Sequence, residues 1–329
     1  MAYRKRSRIL ALIGVLLLLA GIAAAFLGPV EMYCYYLFSE GGRFAYEGFG
    51  FGSFMFGNLT VQIAGYYLIA VLFIPLGYGH LRLRRWARLM ALALLWSWVI
   101  VGIPLMIVFL GILFSSKSLS LPVALLVIVL VAVSYPLLVG LFIRFYQGEN
   151  VRRTFEAADP GSYGIERLPM PVLVLGCLFI FYTLILHIPI LFNGLFPLLG
   201  VWLTGLEGIV ALALSVLCSA LLIWGVFQQK SWAWWGMVVF WGLLTASLLV
   251  TLVSSTWLQL LVLANFPPFE VGFLDGIPAK GYHLAAFLCL PLIATLGLLL
   301  ASKGCFGVAK GSATSASPGS KEDSSPAPA

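Results

Sequence analysis

The stretch ILALIGVLLLLAGIAAAFLGPV, from Ile9 to Val30, holds about 22 consecutive residues without a charge. At about 1.5 Å per residue, a helix of this length crosses the roughly 30 Å hydrocarbon core of a bilayer. A basic cluster at positions 4–8 precedes it, and alanines occupy positions 23–25. The same pattern is also found in cleavable signal peptides. The length of the run favours an uncleaved first transmembrane helix.

The composition of the whole chain agrees with this first segment. Of its 329 residues, 62% are hydrophobic and only 9% are charged, whereas soluble domains carry roughly 25% charged residues. Lipid must therefore be the solvent for most of the surface. Lipid offers the backbone no hydrogen-bond partner, so only helices or closed barrels can span it. The apolar runs lack the alternation of barrel strands, which predicts an all-α polytopic helical bundle.

Seven further apolar runs bring the predicted number of transmembrane helices to about eight. They cover residues 59–78, 89–114, 122–142, 170–192, 204–226, 234–258 and 283–302. The resulting division is a first four-helix half (1–146), a cytosolic linker (147–168), a second four-helix half (169–303) and a cytosolic tail (304–329). The tail is rich in Ser, Ala, Pro and Gly and is predicted to be disordered, because it cannot bury enough apolar area to order itself.

The basic residues predict the orientation. Sixteen Lys and Arg fall in segments predicted to be inside, and three, Arg43, Lys117 and Lys280, fall in segments predicted to be outside. This is the positive-inside pattern. It predicts a multi-pass protein of the plasma (inner) membrane with both termini in the cytoplasm. It also explains the net charge of +7 as a topology signal, so no nucleic-acid partner is expected.

Two outer segments are too irregular or too short to span. Residues 29–58 are rich in glycine and aromatics. They would form either a flap on the outer membrane surface or a re-entrant segment lining a cavity. Residues 195–203 are apolar but too short to cross, so they are predicted to lie at the outer interface.

Two inner hairpins share a sequence pattern. Aligning Trp86 with Trp232 also aligns Arg84 with Lys230 and gives Gly-x4-[Lys/Arg]-x-Trp-Ala in both. A glycine that ends a helix, a cytosolic cation and an interfacial tryptophan would suit any tight inner hairpin. Convergence and duplication both explain the match. Duplication would make the two halves tandem repeats in parallel orientation.

Small and polar residues form stripes along three predicted helices. Gly14, Gly21 and Gly28 recur every seven residues on the first helix, where a smooth face suits close packing. The sixth helix carries Ala211, Ser215 and Ser219, and the seventh carries Ser247, Thr251 and Ser255. These two stripes serve either helix packing with interhelical hydrogen bonds or a polar wall along a substrate path.

One group of polar residues is the candidate site. His187 is expected near the outer end of the fifth helix, and Glu207 near the start of the sixth. The short connection between them predicts neighbouring helices and a His187–Glu207 pair, in a polar outer pocket shared with Ser247 or Thr251. The alternative is that both ionisable groups reach interfacial water and anchor the helix ends.

The sequence carries no recognisable catalytic, nucleotide-binding or metal-binding motif. No cofactor is therefore expected, and the leading interpretation is a non-enzymatic protein that acts through helix packing, lipid contact or partner membrane helices. The second is a transporter or channel-like protein for an uncharged or lipidic substrate. The third is a membrane-embedded enzyme acting on lipid or isoprenoid substrates. The substrate is not indicated.

The predicted orientation can be tested by labelling single cysteines with a membrane-impermeant reagent. Cysteines replacing Lys117 and Asp275 should react from outside, whereas one replacing Glu156 should react only after the membrane is opened. Labelling of position 156 from outside would overturn the orientation.

Overall fold

The computed structural model describes residues 6–115, 120–275 and 281–307. Eight of its helices are long and apolar enough to cross a membrane. They are α1 (Ser7–Phe38), α2 (Phe54–Leu81), α3 (Arg85–Ser115), α4 (Leu121–Gln147), α6 (Met170–Ile185), α7 (Gly205–Phe227), α8 (Ser231–Ser254) and α11 (Gly281–Ala301). Helix α6 reaches the length of a span together with the 3-10 turn that continues it to Leu191. The prediction of an all-α polytopic membrane protein is confirmed.

The connections contain shorter elements. The helices α5 (Glu149–Ala158), α9 (Trp257–Leu263) and α10 (Pro268–Asp275) join longer ones, and β1 (Phe196–Leu198) pairs antiparallel with β2 (Val201–Leu203). Residues 195–203, expected only to lie at an interface, thus contain a small β-hairpin. Of the predicted tail, residues 308–329 lie outside the described residues, and Gly307 donates its backbone N–H to the carbonyl of Gln229 (3.0 Å).

The chain alternates between two ends of the bundle. The basic end holds the α2–α3 and α7–α8 turns, α5 and the segment up to Met170; the aromatic end holds residues 39–53, the β-hairpin, α9 and α10.

Helix α1 contains 32 residues, about 48 Å of helix, so it exceeds the roughly 30 Å hydrocarbon core. The loop between α1 and α2 is residues 39–53, shorter than the predicted 29–58. Its place at the end of two long helices favours the flap over the re-entrant segment.

Helices α1 and α2 approach each other closely along the glycine stripe. A Cβ atom added to Gly21 would lie 2.9 Å from the backbone nitrogen of Ile74. The contacts repeat along the helix: Gly14 meets His80, Gly21 meets Ile74 and Gly28 meets Tyr67. The predicted role of the stripe in close helix packing agrees with these contacts. Because glycine has no side chain, the two helices can approach closely and gain dispersion contacts that lipid does not provide.

The largest buried cluster surrounds α6, which packs on α7, α8, α11 and also on α3 of the predicted first half. Phe179, Tyr182 and Trp241 form its aromatic part, with Phe179 stacked on Trp241. Helix α4 lies at the periphery and exposes a row of apolar side chains that includes Leu126, Leu130 and Val133. Such a surface suits lipid, because water would make its exposure costly.

The α2–α3 and α7–α8 turns have the same backbone geometry. The carbonyl of Gly79 accepts from Arg84 N (2.7 Å), and that of Gly225 accepts from Lys230 N (3.0 Å). The residue before each cation adopts a left-handed conformation, with φ of 51° at Leu83 and 56° at Gln229.

The side chains of the two turns also match. A Cβ atom added to either glycine would collide with the alanine methyl and the tryptophan ring of its own hairpin: Ala87 and Trp86 in one, Ala233 and Trp232 in the other. These turns are a local structural repeat. Duplication of the whole halves stays a prediction, since the β-hairpin between α6 and α7 has no described counterpart between α1 and α2.

The α1–α2 contact can be tested by adding one methyl group. Gly21→Ala should destabilise the protein by about 1–3 kcal/mol, because the methyl group would press on the α2 backbone. Gly65→Ala is the matched control: nothing lies within 4 Å of a Cβ there, so it should be neutral or stabilise the helix by up to about 1 kcal/mol. Unfolding in detergent measures both variants, and equal stability of the two would contradict the packing described.

Candidate functional site

The predicted His187–Glu207 pair is not formed in the structure. His187 is exposed just beyond α6, and its Nδ1 lies 3.0 Å from the carbonyl oxygen of Thr183. Glu207 is exposed in the first turn of α7. Among the described residues no hydrogen bond or ion pair joins them. The interval between the two helices holds a 3-10 turn and the β-hairpin, so the connection does not bring these side chains into contact.

Ser247 and Thr251 bind the turn of the β-hairpin. Ser247 Oγ accepts from Leu199 N (2.8 Å) and donates to the carbonyl of Pro197 (2.8 Å). Thr251 Oγ1 accepts from Gly200 N (2.9 Å). Both side chains are buried, and the hairpin turn would otherwise carry unpaired backbone groups. These contacts give the stripe on α8 a structural role.

The stripe on α7 also makes an interhelical hydrogen bond. Ser219 is fully buried, and its Oγ lies 2.7 Å from Thr183 Oγ1 on α6. Ser215 instead donates to the carbonyl of Ala211 in its own helix. The packing interpretation therefore accounts for the contacts of both stripes.

A buried carboxylate organises the aromatic end. Glu270 on α10 is 2% exposed and accepts from the Tyr46 hydroxyl (2.8 Å), Phe54 N (2.6 Å) and Met55 N (3.1 Å). It thereby satisfies two orphan N–H groups at the start of α2, where a negative charge is favoured. Burial raises the pKa of Tyr46, and the hydrogen bond to Glu270 and its charge raise it further. Sequence reasoning missed this residue.

The segment predicted as a simple linker is docked on the basic end. The buried Asp159 carboxylate accepts from Tyr163 Oη (2.8 Å), Arg85 N (3.3 Å) and Arg84 Nη1 (3.3 Å). Burial alone would raise the pKa of Asp159, but the hydrogen bonds from Tyr163 and Arg85 N and the charge of Arg84 lower it overall. The carboxylate is thus held ionised at the α2–α3 turn.

Helix α5 packs on the bundle through an aromatic contact. Phe155 is buried and lies edge-to-face on the ring of His80. His80 Nδ1 lies 2.7 Å from the carbonyl oxygen of Leu76, and its Nε2 lies 2.7 Å from Tyr146 Oη. The buried imidazole has a hydrogen-bond partner at each nitrogen, as a polar group in this environment requires. It is therefore a packing element beneath α5.

A cavity of about 200 Å³ lies between α5, the first turn of α3 and the 3-10 turn Gly164–Arg167. Its walls include Arg85, Arg88, Arg152, Phe155, Glu156 and Glu166. Ligand pockets for drug-sized molecules measure roughly 300–1,000 Å³. A cavity of this size suits a smaller polar group.

The guanidinium groups of the cavity differ in how they are neutralised. Arg85 pairs with Glu166 (2.8 Å). Arg152 pairs with Glu149 (2.8 Å) and more distantly with Glu156 (3.7 Å). The hydrogen bond to Glu149 is the largest cause of the raised pKa of Arg152.

Arg88 is the exception. It is half-buried, its Nε donates to the carbonyl of Tyr146 (3.0 Å), and it has no ion pair within the part of the chain that the structure describes. A desolvated cation favours a nearby anion more strongly than an exposed one does. The arrangement can bind an anionic group through the remaining N–H donors of the Arg88 fork.

No sequence pattern indicates this cavity. Its arginines are part of the positive-inside pattern, which predicts only orientation, and the sequence predicts α5 only as part of a linker. No group of three or more His, Cys, Asp or Glu is placed to hold a metal ion within residues 6–115, 120–275 and 281–307. No protein-family model matches the chain, and no curated protein or solved structure matches it.

The docking of α5 can be tested at Asp159. Asp159→Asn should weaken it by about 1–3 kcal/mol, because an amide replaces a charged acceptor, and amide exchange over Glu149–Ala158 should accelerate. The lowered pKa means that the contribution of the carboxylate is present above its unfolded pKa of about 3.9 and is lost as the pH falls through the folded value.

Parent and variant should therefore differ at pH 7 and at pH 5 and converge in stronger acid. Glu156→Gln, on the same helix, is the control, since it removes only an exposed pair of 3.7 Å and should change exchange little. Unchanged exchange in Asp159→Asn at pH 7 would contradict the proposed anchoring.

Proposed function

We propose that this integral membrane protein is non-enzymatic and binds the phosphate group of a membrane lipid in the arginine-lined cavity. The basic end would face the cytoplasm, and the lipid would come from the inner leaflet of the plasma (inner) membrane. The observation that carries the proposal is Arg88, a half-buried guanidinium without an ion pair among the described residues, in a cavity at the end of a membrane span.

The position of the cavity supports a lipid as the ligand. Arg85 is the first residue of α3, and Arg88 lies about one turn further along the helix. In a bilayer crossed by α3, the cavity would lie where the helix meets the interfacial layer, at the depth of lipid phosphates. Basic pockets near the cytoplasmic ends of transmembrane helices are known binding places for phosphate headgroups.

The charge of the cavity supports an anionic group. Of the three arginines that line the cavity, Arg85 and Arg152 have carboxylate partners, and Arg88 has none among the described residues. A phosphate supplies several acceptor oxygens, and arginine binds such a group with two parallel N–H donors. The ligand would then complete the neutralisation of Arg88.

A second candidate function rests on a different feature. A groove of about 510 Å³ at the aromatic end is lined by Trp202, Ser254, Leu258, Gln259 and Val262, among others, and has no charged lining residue. It favours an uncharged or lipidic substrate, as the transporter interpretation requires. Transport would further need a path across the membrane midplane. In the interpretation without transport, partner helices would bind the exposed apolar face of α4.

The lipid proposal is tested by measuring lipid binding to the purified full-length protein in detergent. Added phospholipid should raise the unfolding free energy of the parent by about 2.7 kcal/mol at a hundredfold excess over Kd. Arg88→Gln should weaken binding by roughly 10- to 100-fold, the worth of a charge-assisted hydrogen bond.

Two further variants complete the design. Arg88→Lys keeps the charge but not the fork, so its affinity should be intermediate. Arg153→Gln removes one charge from α5 at an exposed position that does not line the cavity, and its affinity should match the parent. Equal binding by Arg88→Gln and Arg153→Gln would refute the proposal.

A further inference from the structure

Helix α5 supplies one wall of the arginine-lined cavity. Arg152, Phe155 and Glu156 of the wall belong to α5, whereas Arg88 and Leu89 belong to α3. A ligand in the cavity would therefore contact two separate helices, one that crosses the bilayer and one that packs on the basic end of the bundle. The site is complete only while α5 is docked.

Arg152 has N–H donors that its carboxylate partners leave available. Within the described parts of the chain, its side chain donates a hydrogen bond from Nη2 to Glu149 (2.9 Å). Its Nε lies 3.7 Å from Glu156 Oε1, beyond hydrogen-bond distance. A guanidinium carries five N–H donors, so Arg152 can bind a further acceptor. Its side chain is 49% exposed, and a ligand in the cavity can reach it.

The carboxylate that holds Arg152 also holds a second arginine. Arg153 Nε lies 2.7 Å from Glu149 Oε1, so Glu149 remains neutralised when Arg152 directs part of its fork at a ligand. Arg153 does not line the cavity. The two neighbouring arginines thus share a helix and a partner and differ in their access to the site.

Two carboxylates of the wall oppose an anion, but neither is an isolated buried charge. Glu166 is paired with Arg85 (2.8 Å). The side chain of Glu156 is 44% exposed, so water and salt screen its charge. The cations of the cavity therefore dominate for a ligand that lies between Arg88 and Arg152.

We infer that α5 closes the phosphate site, with Arg152 as the second guanidinium that binds the anion. The inference rests on the proposed function and concerns the regulation of the same site. A ligand that binds the docked state of α5 more tightly must favour docking by the same factor. Asp159, which anchors the end of α5 at the α2–α3 turn, would then control how firmly the site is closed.

The experiment measures amide exchange over Glu149–Ala158 in the purified full-length protein, with and without saturating short-chain phosphatidylglycerol. The lipid should slow exchange in the parent by about fivefold, which corresponds to one partly solvated charge contact. Arg152→Gln should bind the lipid about fivefold more weakly and lose most of the protection. Arg152→Lys keeps the charge and should recover part of the affinity.

Two further variants separate binding by Arg152 from a general effect on α5. Arg153→Gln is the matched control, because it removes an arginine with the same carboxylate partner and leaves the cavity wall unchanged. It should keep the affinity and the protection of the parent. In Asp159→Asn, exchange should be faster without lipid, and the lipid should slow it by the same factor of about five.

The outcomes distinguish this inference from the proposed function. Parent-like affinity and protection in Arg152→Gln, or equal losses in Arg152→Gln and Arg153→Gln, would overturn closure by α5 and leave phosphate binding at Arg88 intact. Failure of the parent to bind the lipid, or parent-like binding by Arg88→Gln, overturns both. Inorganic phosphate at the same concentration should protect α5 less than the lipid does. Equal protection would support closure and overturn the lipid as the source of the phosphate.

Discussion

Polar groups that a chain carries into lipid must find their partners within the protein, because hydrocarbon offers none. This constraint governs the whole molecule. It explains why the turn of the β-hairpin is bound by Ser247 and Thr251, and why each nitrogen of the buried His80 has a partner. The polar side chains at these positions therefore serve mainly as hydrogen-bond partners for the backbone and for the His80 imidazole.

The same constraint gives meaning to the groups that are left over. Most buried side-chain polar atoms of the described residues have a partner, and Glu166 Oε1 is one of three that do not. Arg88 donates through its Nε to the Tyr146 carbonyl and forms no ion pair with a carboxylate of the described residues. Both residues belong to the cavity wall, but Glu166 Oε1 is buried away from it, so that Arg88 is the group open to a ligand. In a structure that otherwise pairs most of its polar groups, the proposal of an anionic ligand therefore rests on Arg88.

Much of the fold could be predicted from the sequence, because a membrane span is a local property. Hydropathy located all eight helices, and basic residues marked the α2–α3 and α7–α8 turns. The equivalent turns at Gly79 and Gly225 were also visible, since each is set by a few neighbouring residues. Helix ends were less certain: α1 continues to Phe38, because a helix persists beyond the apolar part that marks a span.

The site could not be predicted, because its contacts join distant segments. Asp159 reaches Arg84 across 75 positions of sequence, and no periodicity encodes that distance. The prediction at His187 and Glu207 has a related weakness, since no hydrogen bond or ion pair joins the two described side chains. It assumed that a short connection implies contact, whereas the intervening residues fold into a hairpin with partners of their own. Proximity along the chain was a poor guide to proximity in space.

The position of Glu166 has a mechanical consequence. It lies in the 3-10 turn that precedes Met170, where α6 begins, while Arg88 belongs to α3. The cavity is thus bounded by the turn before α6, by the first turn of α3 and by α5. Any sliding or tilting of α6 relative to α3 must change the width of the cavity, and anything that fills it must resist such motion. A ligand bound in the cavity would therefore oppose relative movement of α6 and α3.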